Sequence, residues 1–344
     1  MKVVHTADVH LSSDHSERMD ALKEIIELCE DEEADVLVIA GDLFDANADL
    51  EDLRTELRSI FSDNAFQTFV IPGNHDSAAF RKEDYFGDDI KVLSEQPFQK
   101  EVYENLNIVG VPYTEKEFSE LAEDISNSYE ENKTNILLLH CTLSGTTGGY
   151  GSEGEYLPVK PSQIVQIGFD YIMAGHIHSS ATRKRFGETL FTYSGSPVSI
   201  SSSETGRREV WILDTEDDKM HTETLETRHY LKKEIEVLPN EEDSKLTDLE
   251  DQLGDRKLEK ASVTVKLSGF TNQNVEDVAE NFENILESVN TANHNLNFQK
   301  LENVSHAVET GLYQDFKSRL EDSDYKDSGE VEKKFLRGLS RYER

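Results

Sequence analysis

Residues 36–45 read VLVIAGDLFD: Val36, Leu37, Val38 and Ile39 form a short apolar run that stops at Gly41-Asp42. A run of that length, closed by a turn-forming glycine, is a strand buried on both faces. The same pattern recurs along the chain. Val3-Val4 leads into Asp8-Val9-His10 of HTADVHL, and Phe69-Val70-Ile71 into Gly73-Asn74-His75-Asp76 of IPGNHD. Ile136 to Leu139 of NILLLH rises to His140, and IMAGHIH closes on Gly175-His176-Ile177-His178. Between these runs the apolar residues fall at helical spacing. One set is Met19, Leu22, Ile25, Ile26 and Cys29, and a second is Leu50, Leu53, Leu57, Ile60 and Phe61. After strand-like Ile108 to Val111, Thr114 and Glu117 have capping-box spacing, and Phe118, Leu121, Ile125 and Tyr129 mark one helix face. Alternation of this kind predicts an α/β fold with a sheet covered on both faces. Polar residues at the carboxyl ends of its strands then sit where such sheets open a cleft.

What collects at those ends is a ligand set. In an extended segment, residues two apart face the same side, so Asp8 with His10, and His176 with His178, can each address one cation. Carboxylate, amide and imidazole together suit two hard-to-borderline divalent ions. Two such ions about 3.5–4 Å apart need a shared anion between them. Asp42, lying between the first and third motifs, is the choice for that bridge. His75 exceeds the ligand count and suits the charge or proton work at the leaving oxygen. Asp76 is expected to hold the far nitrogen of His75. The chemistry predicted is metal-dependent hydrolysis of a phosphoester.

Composition narrows the setting. The 344 residues include only Cys29 and Cys141, which argues against a disulfide framework and for a reducing cytoplasm. Cys29 reads as core; Cys141, next to His140, leaves a metal thiolate open. No apolar run approaches bilayer length, and the chain opens directly into MKVVHTADVH, so neither a membrane span nor a signal peptide is expected. Asp and Glu number 70 against 35 Lys and Arg, a formal charge of −35. The acids are spread through patterned segments, so the charge reads as adaptation to a salt-rich cytoplasm rather than disorder. Acidity opposes nucleic-acid binding, which relies on basic residues. Basic islands nevertheless stand at Arg81-Lys82, at Arg183-Lys184-Arg185 and at Arg207-Arg208. The Gly-rich stretch Ser144 to Glu155 reads as a flexible loop with room for a substrate-facing role.

From Phe186 to Asp214 the pattern turns to hairpins, TLFTYSG and REVWILD among them. Beyond Asp214, TEDDKM reads as a turn and Tyr230 to Leu238 as a connecting strand. A small unit follows: helix 246–253, strand 261–267, helix 275–289, strand 296–301. Two apolar stripes end the chain, one through Tyr313, Phe316 and Leu320, the other through Val331, Phe335, Leu336 and Leu339, open equally to packing on the chain's own core and to gripping a partner.

The order DVH, GDLFD, GNHD, H, GHIH resembles the calcineurin-like metallophosphoesterase superfamily over residues 1–214. Within it, HTADVHL, GDLFD, IPGNHD and the YSGSP turn at Tyr193 to Pro197 resemble the SbcD or Mre-eleven type of DNA repair nuclease subunit. The resemblance implies a four-layer αββα sandwich, 1–214, then a small α+β capping and DNA-recognition domain, 215–305. A helical segment, 306–344, would dock on an SMC-like ABC ATPase of the SbcC or Rad-fifty type. It further implies that Asp8, His10, Asp42 and His178 hold one metal and that Asp42, Asn74, His140 and His176 hold another. The family's metal is usually Mn2+, and the catalytic histidine would be His75. The implied activity is exo- and endonucleolytic cleavage of DNA in double-strand break repair, by a cytoplasmic homodimer. Asp45 stands where many family members have a second histidine, which touches exonuclease geometry more than cleavage itself. Arg81, Lys82, Arg183, Lys184 and Arg185 are the expected DNA contacts.

Two other readings use the same residues: a phosphodiesterase of nucleotides or small phosphoesters, and a non-catalytic adaptor on the same fold. The full ligand set opposes the adaptor. The segments after Asp214 favour the nuclease over the small-ester enzyme. The salt reading predicts that far-UV circular dichroism shows folding that rises with KCl concentration; full folding in dilute buffer removes it.

Overall fold

A computed structural model of the chain describes residues 1–46, 48, 50–80, 85–145, 154–254, 257–323 and 325–342. They form two compact units, Met1–His229 and Tyr230–Arg344.

In the first unit, β1 (Lys2–Thr6), α1 (Ser16–Asp31), β2 (Val36–Ala40), α2 (Leu50–Ile60), β3 (Gln67–Ile71) and β4 (Ile90–Val92) follow in order. Strands β1 to β4 pair in parallel as neighbours. A second series comprises β5 (Gln99–Tyr103), β6 (Leu106–Gly110), α3 (Phe118–Asn127), β7 (Thr134–His140), α4 (Pro161–Ile167), β8 (Tyr171–Gly175), β9 (Thr182–Phe186) and β10 (Thr189–Tyr193). It builds a second sheet in the order β5-β6-β7-β8-β10-β9. The chain then returns to the first sheet through β11 (Arg208–Asp214) and β12 (Lys219–Leu225), giving the order β12-β11-β1-β2-β3-β4.

The two-residue period of each strand creates the layers. Leu37 and Ile39 face α1 and α2, meeting Leu22, Ile25, Leu53 and Leu57. Val36 and Val38 face the other way, against Ile108, Ile136, Leu138 and Met173 of the second sheet. Leu137, Leu139 and Ile172 in turn meet Phe118, Leu121 and Ile125 of α3 and Ile164 and Ile167 of α4. Helix, sheet, sheet, helix is the four-layer sandwich that the sequence implied.

Several local expectations shift. The capping box of α3 lies three residues further on, where the Glu117 amide donates to Glu120 Oε1 at 3.1 Å, while Thr114 Oγ1 accepts from Lys116. The hairpins at TLFTYSG and REVWILD do form, β10 pairing antiparallel with β9 and β11 with β12, and each is also joined to the body of its own sheet, β10 in parallel with β8 and β11 antiparallel with β1. The first unit also runs past Asp214 to His229, because β12 pairs with β11 over its whole length. Its sequence KMHTETL hides this, since an edge strand keeps a polar face.

The second unit holds β13 (His229–Val237), α5 (Glu242–Gly254), β14 (Ala261–Thr271), α6 (Val275–Ser288) and β15 (Asn293–Asn303). Leu249 and Leu253 of α5 and Val278, Phe282 and Leu286 of α6 bury against Val263 and Val265 of β14. Asn274 caps α6, its Oδ1 accepting from the amides of Glu276 and Asp277. The final helices α7 (Ser305–Val308), α8 (Gly311–Glu321) and α9 (Ser328–Tyr342) close on the same unit. Tyr313, Leu336 and the β14 residue Phe270 share one small core, so the terminal stripes are packed within the unit, with no separate body beginning at residue 306.

The sandwich predicts a stability effect that its one tryptophan can report. Trp211 lies on β11, 6 % exposed. Leu138→Ala in the layer between the sheets should lower the stability of the first unit by about 2–5 kcal/mol. Urea unfolding followed by Trp211 fluorescence checks this; an unchanged midpoint would mean the inter-sheet layer is not tightly packed.

Candidate metal centre

The five motifs leave the ends of five strands from two sheets and meet. Asp8 and His10 follow β1, Asp42 follows β2, Asn74 and His75 follow β3, His140 ends β7, and His176 and His178 follow β8. The first two loops run side by side: the Asp8 amide donates to the Gly41 carbonyl and the His10 amide to the Asp42 carbonyl, both at 3.0 Å. To bring their side chains inward, Asp8, His10, Asp42 and His176 take positive φ angles of 56°, 51°, 51° and 89°. Such backbone is unfavourable for residues with a Cβ and concentrates at functional sites. Gly41, at φ +96°, is needed for another reason, since a Cβ there would lie 2.1 Å from His140 Nδ1.

The donor atoms cluster tightly. Ligand atoms of Asp8, His10 and His178 lie within 4.8 Å of one another, and so do those of Asp8, Asp42 and His140. Asp42 Oδ2 is 3.7 Å from His10 Nε2 and 3.2 Å from His140 Nε2, so one oxygen faces both groups. Asn74 Oδ1 approaches His140 Nε2 at 2.9 Å. The remaining carboxylate oxygens are aimed by backbone amides. Asp8 accepts from His176 N at 3.0 Å and Asp42 Oδ1 from His75 N at 2.9 Å.

These residues fit divalent cations. His10 Nε2 and His178 Nε2 are 3.2 Å apart. Two nitrogens bound at right angles to one ion by bonds of about 2.1 Å would be roughly 3 Å apart. The outer ring nitrogens are already engaged. His140 Nδ1 donates to the Ala40 carbonyl at 3.0 Å, and His178 Nδ1 faces Glu204 Oε1 at 3.4 Å. Each arrangement leaves Nε2 to point inward. His176 is turned the other way. Its Nε2 meets the Gly154 carbonyl at 3.1 Å, so Nδ1 is its available donor, and it lies outside both compact groups.

Burial and charge set the protonation. Burial pushes His10 down to about 3, leaving a neutral imidazole. Burial alone would also lower His140, but the adjacent Asp42 and Asp8 carboxylates push it up to about 10. Conversely, burial works against ionised Asp42, yet His140 beside it holds its carboxyl well below the usual range. His140 and Asp42 thus pair as proton and base, and a cation placed between them would take over the role of that proton.

The other expected residues separate. His75 is half-buried, its ring 5.0 Å from that of His10. Asp76 gives its oxygens to the turn backbone, accepting from Gly73 N at 2.7 Å and Phe44 N at 3.1 Å. It therefore shapes the loop under His75, where the sequence reading assigned it to the imidazole. Asp45 binds Arg18, whose Nη1 reaches both Asp45 Oδ2 at 2.7 Å and the His10 carbonyl at 2.6 Å. Cys141 is buried among the α3–α4 contacts, where burial pushes its thiol up to about 12, and it lies outside both compact ligand groups. Arg183 and Arg185, on exposed β9, donate to the carbonyls of Met220 and Glu188, with Lys184 between them. Arg81 and Lys82 lie outside the described residues, as do residues 146–153 of the Gly-rich loop.

Sequence reasoning missed four neighbours. Arg18 had a signal, for it stands four before Leu22 on the apolar face of α1. Tyr156 walls the site, its ring 6.0 Å from His140 and stacked on Tyr113 at 5.4 Å. Glu204 carried no local signal. Arg208 read as half of a basic island, yet it is buried and donates to the His178 carbonyl at 2.9 Å.

A model of the Calcineurin-like phosphoesterase family matches residues 1–180. The chain is 28% identical over 276 residues to the SbcD subunit of the SbcCD nuclease of Staphylococcus epidermidis, a match covering 69% of this chain and 72% of that protein. Among solved structures, a dimetal phosphatase from Danio rerio is 11% identical, with a TM-score of 0.45, covering 65% of this chain and 95% of that one. The purple acid phosphatase PPD1 of yellow lupin (Lupinus luteus) is 14% identical, with a TM-score of 0.45, covering 67% of this chain and 54% of that one.

Proposed function

The chain belongs to the calcineurin-like phosphoesterase family, and we propose that within it this is the nuclease subunit of an SbcD-type DNA repair complex. The chemistry is metal-dependent hydrolysis of phosphodiester bonds. One observation carries the reading most directly: Asp42 Oδ2 stands between His10 and His140, where a bridging carboxylate belongs. Asp8, His10, Asp42 and His178 would hold one divalent cation, and Asp42, Asn74, His140 and His176 the other, with Mn2+ the expected ion. When bound, the pair supplies a Lewis-acid clamp on the phosphoryl oxygens and acidifies a water near neutral pH.

The side chains do the remainder. His75 reaches the site from a loop whose amide is tied to Asp42. Its imidazole is suited to meet the developing charge or to protonate the leaving 3′ or 5′ oxygen. The Arg18–Asp45 pair holds the His10 backbone. Arg183, Lys184 and Arg185 offer positive charge to the DNA backbone from an exposed strand. The homologous nuclease subunit supports a nucleic acid as substrate.

Double-strand break repair, a homodimer and an ABC ATPase partner complete the proposal. Residues 215–305, of which 215–229 belong to the first unit and 230–305 to the second, would contribute DNA recognition, and 306–344 the partner contact. Because Tyr313 and Leu336 are consumed by the internal core, that contact falls to outward residues such as Leu312 and Tyr325, 61 % and 68 % exposed.

Labelled duplex and hairpin DNA should be cleaved with manganese in high KCl and left intact with EDTA. His75→Ala should slow cleavage about 10²–10⁴-fold while calorimetry still counts two bound cations. Intact DNA beside rapid hydrolysis of bis-p-nitrophenyl phosphate would transfer the enzyme to the small-phosphoester class. For the partner, Leu312→Asp with Tyr325→Asp should abolish co-purification with the cognate ATPase without altering the fold; undiminished capture rules out this contact.

A further inference from the structure

The YSGSP turn, Tyr193 to Pro197, has no part in the ligand set, yet it is built against a ligand. Gly195, at φ +73°, lies so close to the GHIH loop that a Cβ there would be 2.0 Å from the Ser179 carbonyl. Next to it, Ser196 Oγ is 3.4 Å from the His178 carbonyl and 3.2 Å from Glu204 Oε2. Arg208, fully buried at the start of β11, donates to the same His178 carbonyl at 2.9 Å. The backbone of His178 is thus held from two directions.

Its ring is held from a third. Glu204 Oε1 lies 3.4 Å from His178 Nδ1, and the Glu204 side chain is only 11 % exposed. That carboxylate is itself anchored, accepting from Ile200 N at 2.8 Å and Ser201 N at 3.2 Å. A carboxylate can only accept, so the neutral ring must carry its hydrogen on Nδ1 and offer the Nε2 lone pair. His140 and His176 instead rest their outer nitrogens on backbone carbonyls. A negative partner does more than orient a ligand: it raises the basicity of the imidazole.

We propose that Glu204 is a positioning residue for His178, fixing its tautomer and aim from a cradle formed by the YSGSP turn, Ser196 and Arg208. The cradle also spans the two sheets. His178 follows β8 of the second sheet, whereas Arg208 begins β11 of the first. The Glu204 segment therefore sets the one ligand from the second sheet that shares a cation with Asp8 and His10 of the first. The inference rests on the two-cation reading above and goes beyond it by assigning one cation's affinity to a residue that touches neither.

The test compares wild type with Glu204→Ala and Glu204→Gln. Manganese is titrated calorimetrically into metal-free protein, and imidazole ¹⁵N shifts of His178 are read without metal. Glu204→Ala should weaken one of the two cations about ten- to hundredfold, leave the other unchanged, and shift His178 toward the Nε2–H tautomer. Glu204→Gln, which keeps an acceptor but not the charge, should recover the tautomer and part of the affinity. Should Glu204→Ala fail to fold, Glu204→Gln alone must still weaken one cation selectively. Unchanged affinity, or equal loss at both positions, overturns the proposal and leaves Glu204 a tie within its loop. A wild type that binds no pair of cations overturns the two-cation reading instead, so the two failures are distinct.

Discussion

Two buried carboxylates, Asp8 and Asp42, lie in one pocket with His10, His140 and His178, and every other feature of the first unit answers to that concentration of charge. Ionised groups withdrawn from water are tolerated only when paired and hydrogen-bonded. Here the pairing is shared unequally, since burial still raises Asp8 to about 6. His140 neutralises Asp42, while backbone amides of His176 and His75 take on the task of solvating the two carboxylates. Four residues in left-handed backbone add strain of about 1–3 kcal/mol each. The sandwich must hold this arrangement against both repulsion and strain, and its three apolar layers are what make that possible.

The layers also explain why the ligands come from two sheets. Each sheet is parallel at its centre, so those central strands end on the same side, and stacking two such sheets places two sets of strand ends side by side. The first sheet brings Asp8, His10, Asp42 and Asn74, whereas the second brings His140, His176 and His178. Close approach is needed where they meet, and Gly41 provides it for His140.

Much of this could be read from the chain. Continuous apolar runs ending in Asp, Asn or His disclosed both the strands and the direction in which they point, because period and polarity are local properties. The residues that hold the ligands were harder to see. Asp76 looked like a partner for the adjacent imidazole, but a short side chain in a tight turn finds the amides of Gly73 and Phe44 first. Glu204 sits among serines and a threonine, a composition indistinguishable from a solvated loop until Ser196 and His178 are brought to it from distant parts of the chain. Likewise β12 reads as polar because one of its faces is open, and only its register with β11 reveals the strand. Local chemistry was legible; chemistry assembled across the fold was not.

The layer between the sheets has a consequence for tolerance to mutation. Val36, Val38, Leu138 and Met173 lie in the apolar layer between the sheet that carries Asp42 and the sheet that carries His140. They serve as the spacer of a caliper. Swaps that conserve volume leave such a core folded, but a displacement of about 1 Å at reacting groups can reduce catalysis a hundredfold. Drift in this lineage is therefore expected to be freer on the helix-facing sides of the strands than on the faces that keep the gap.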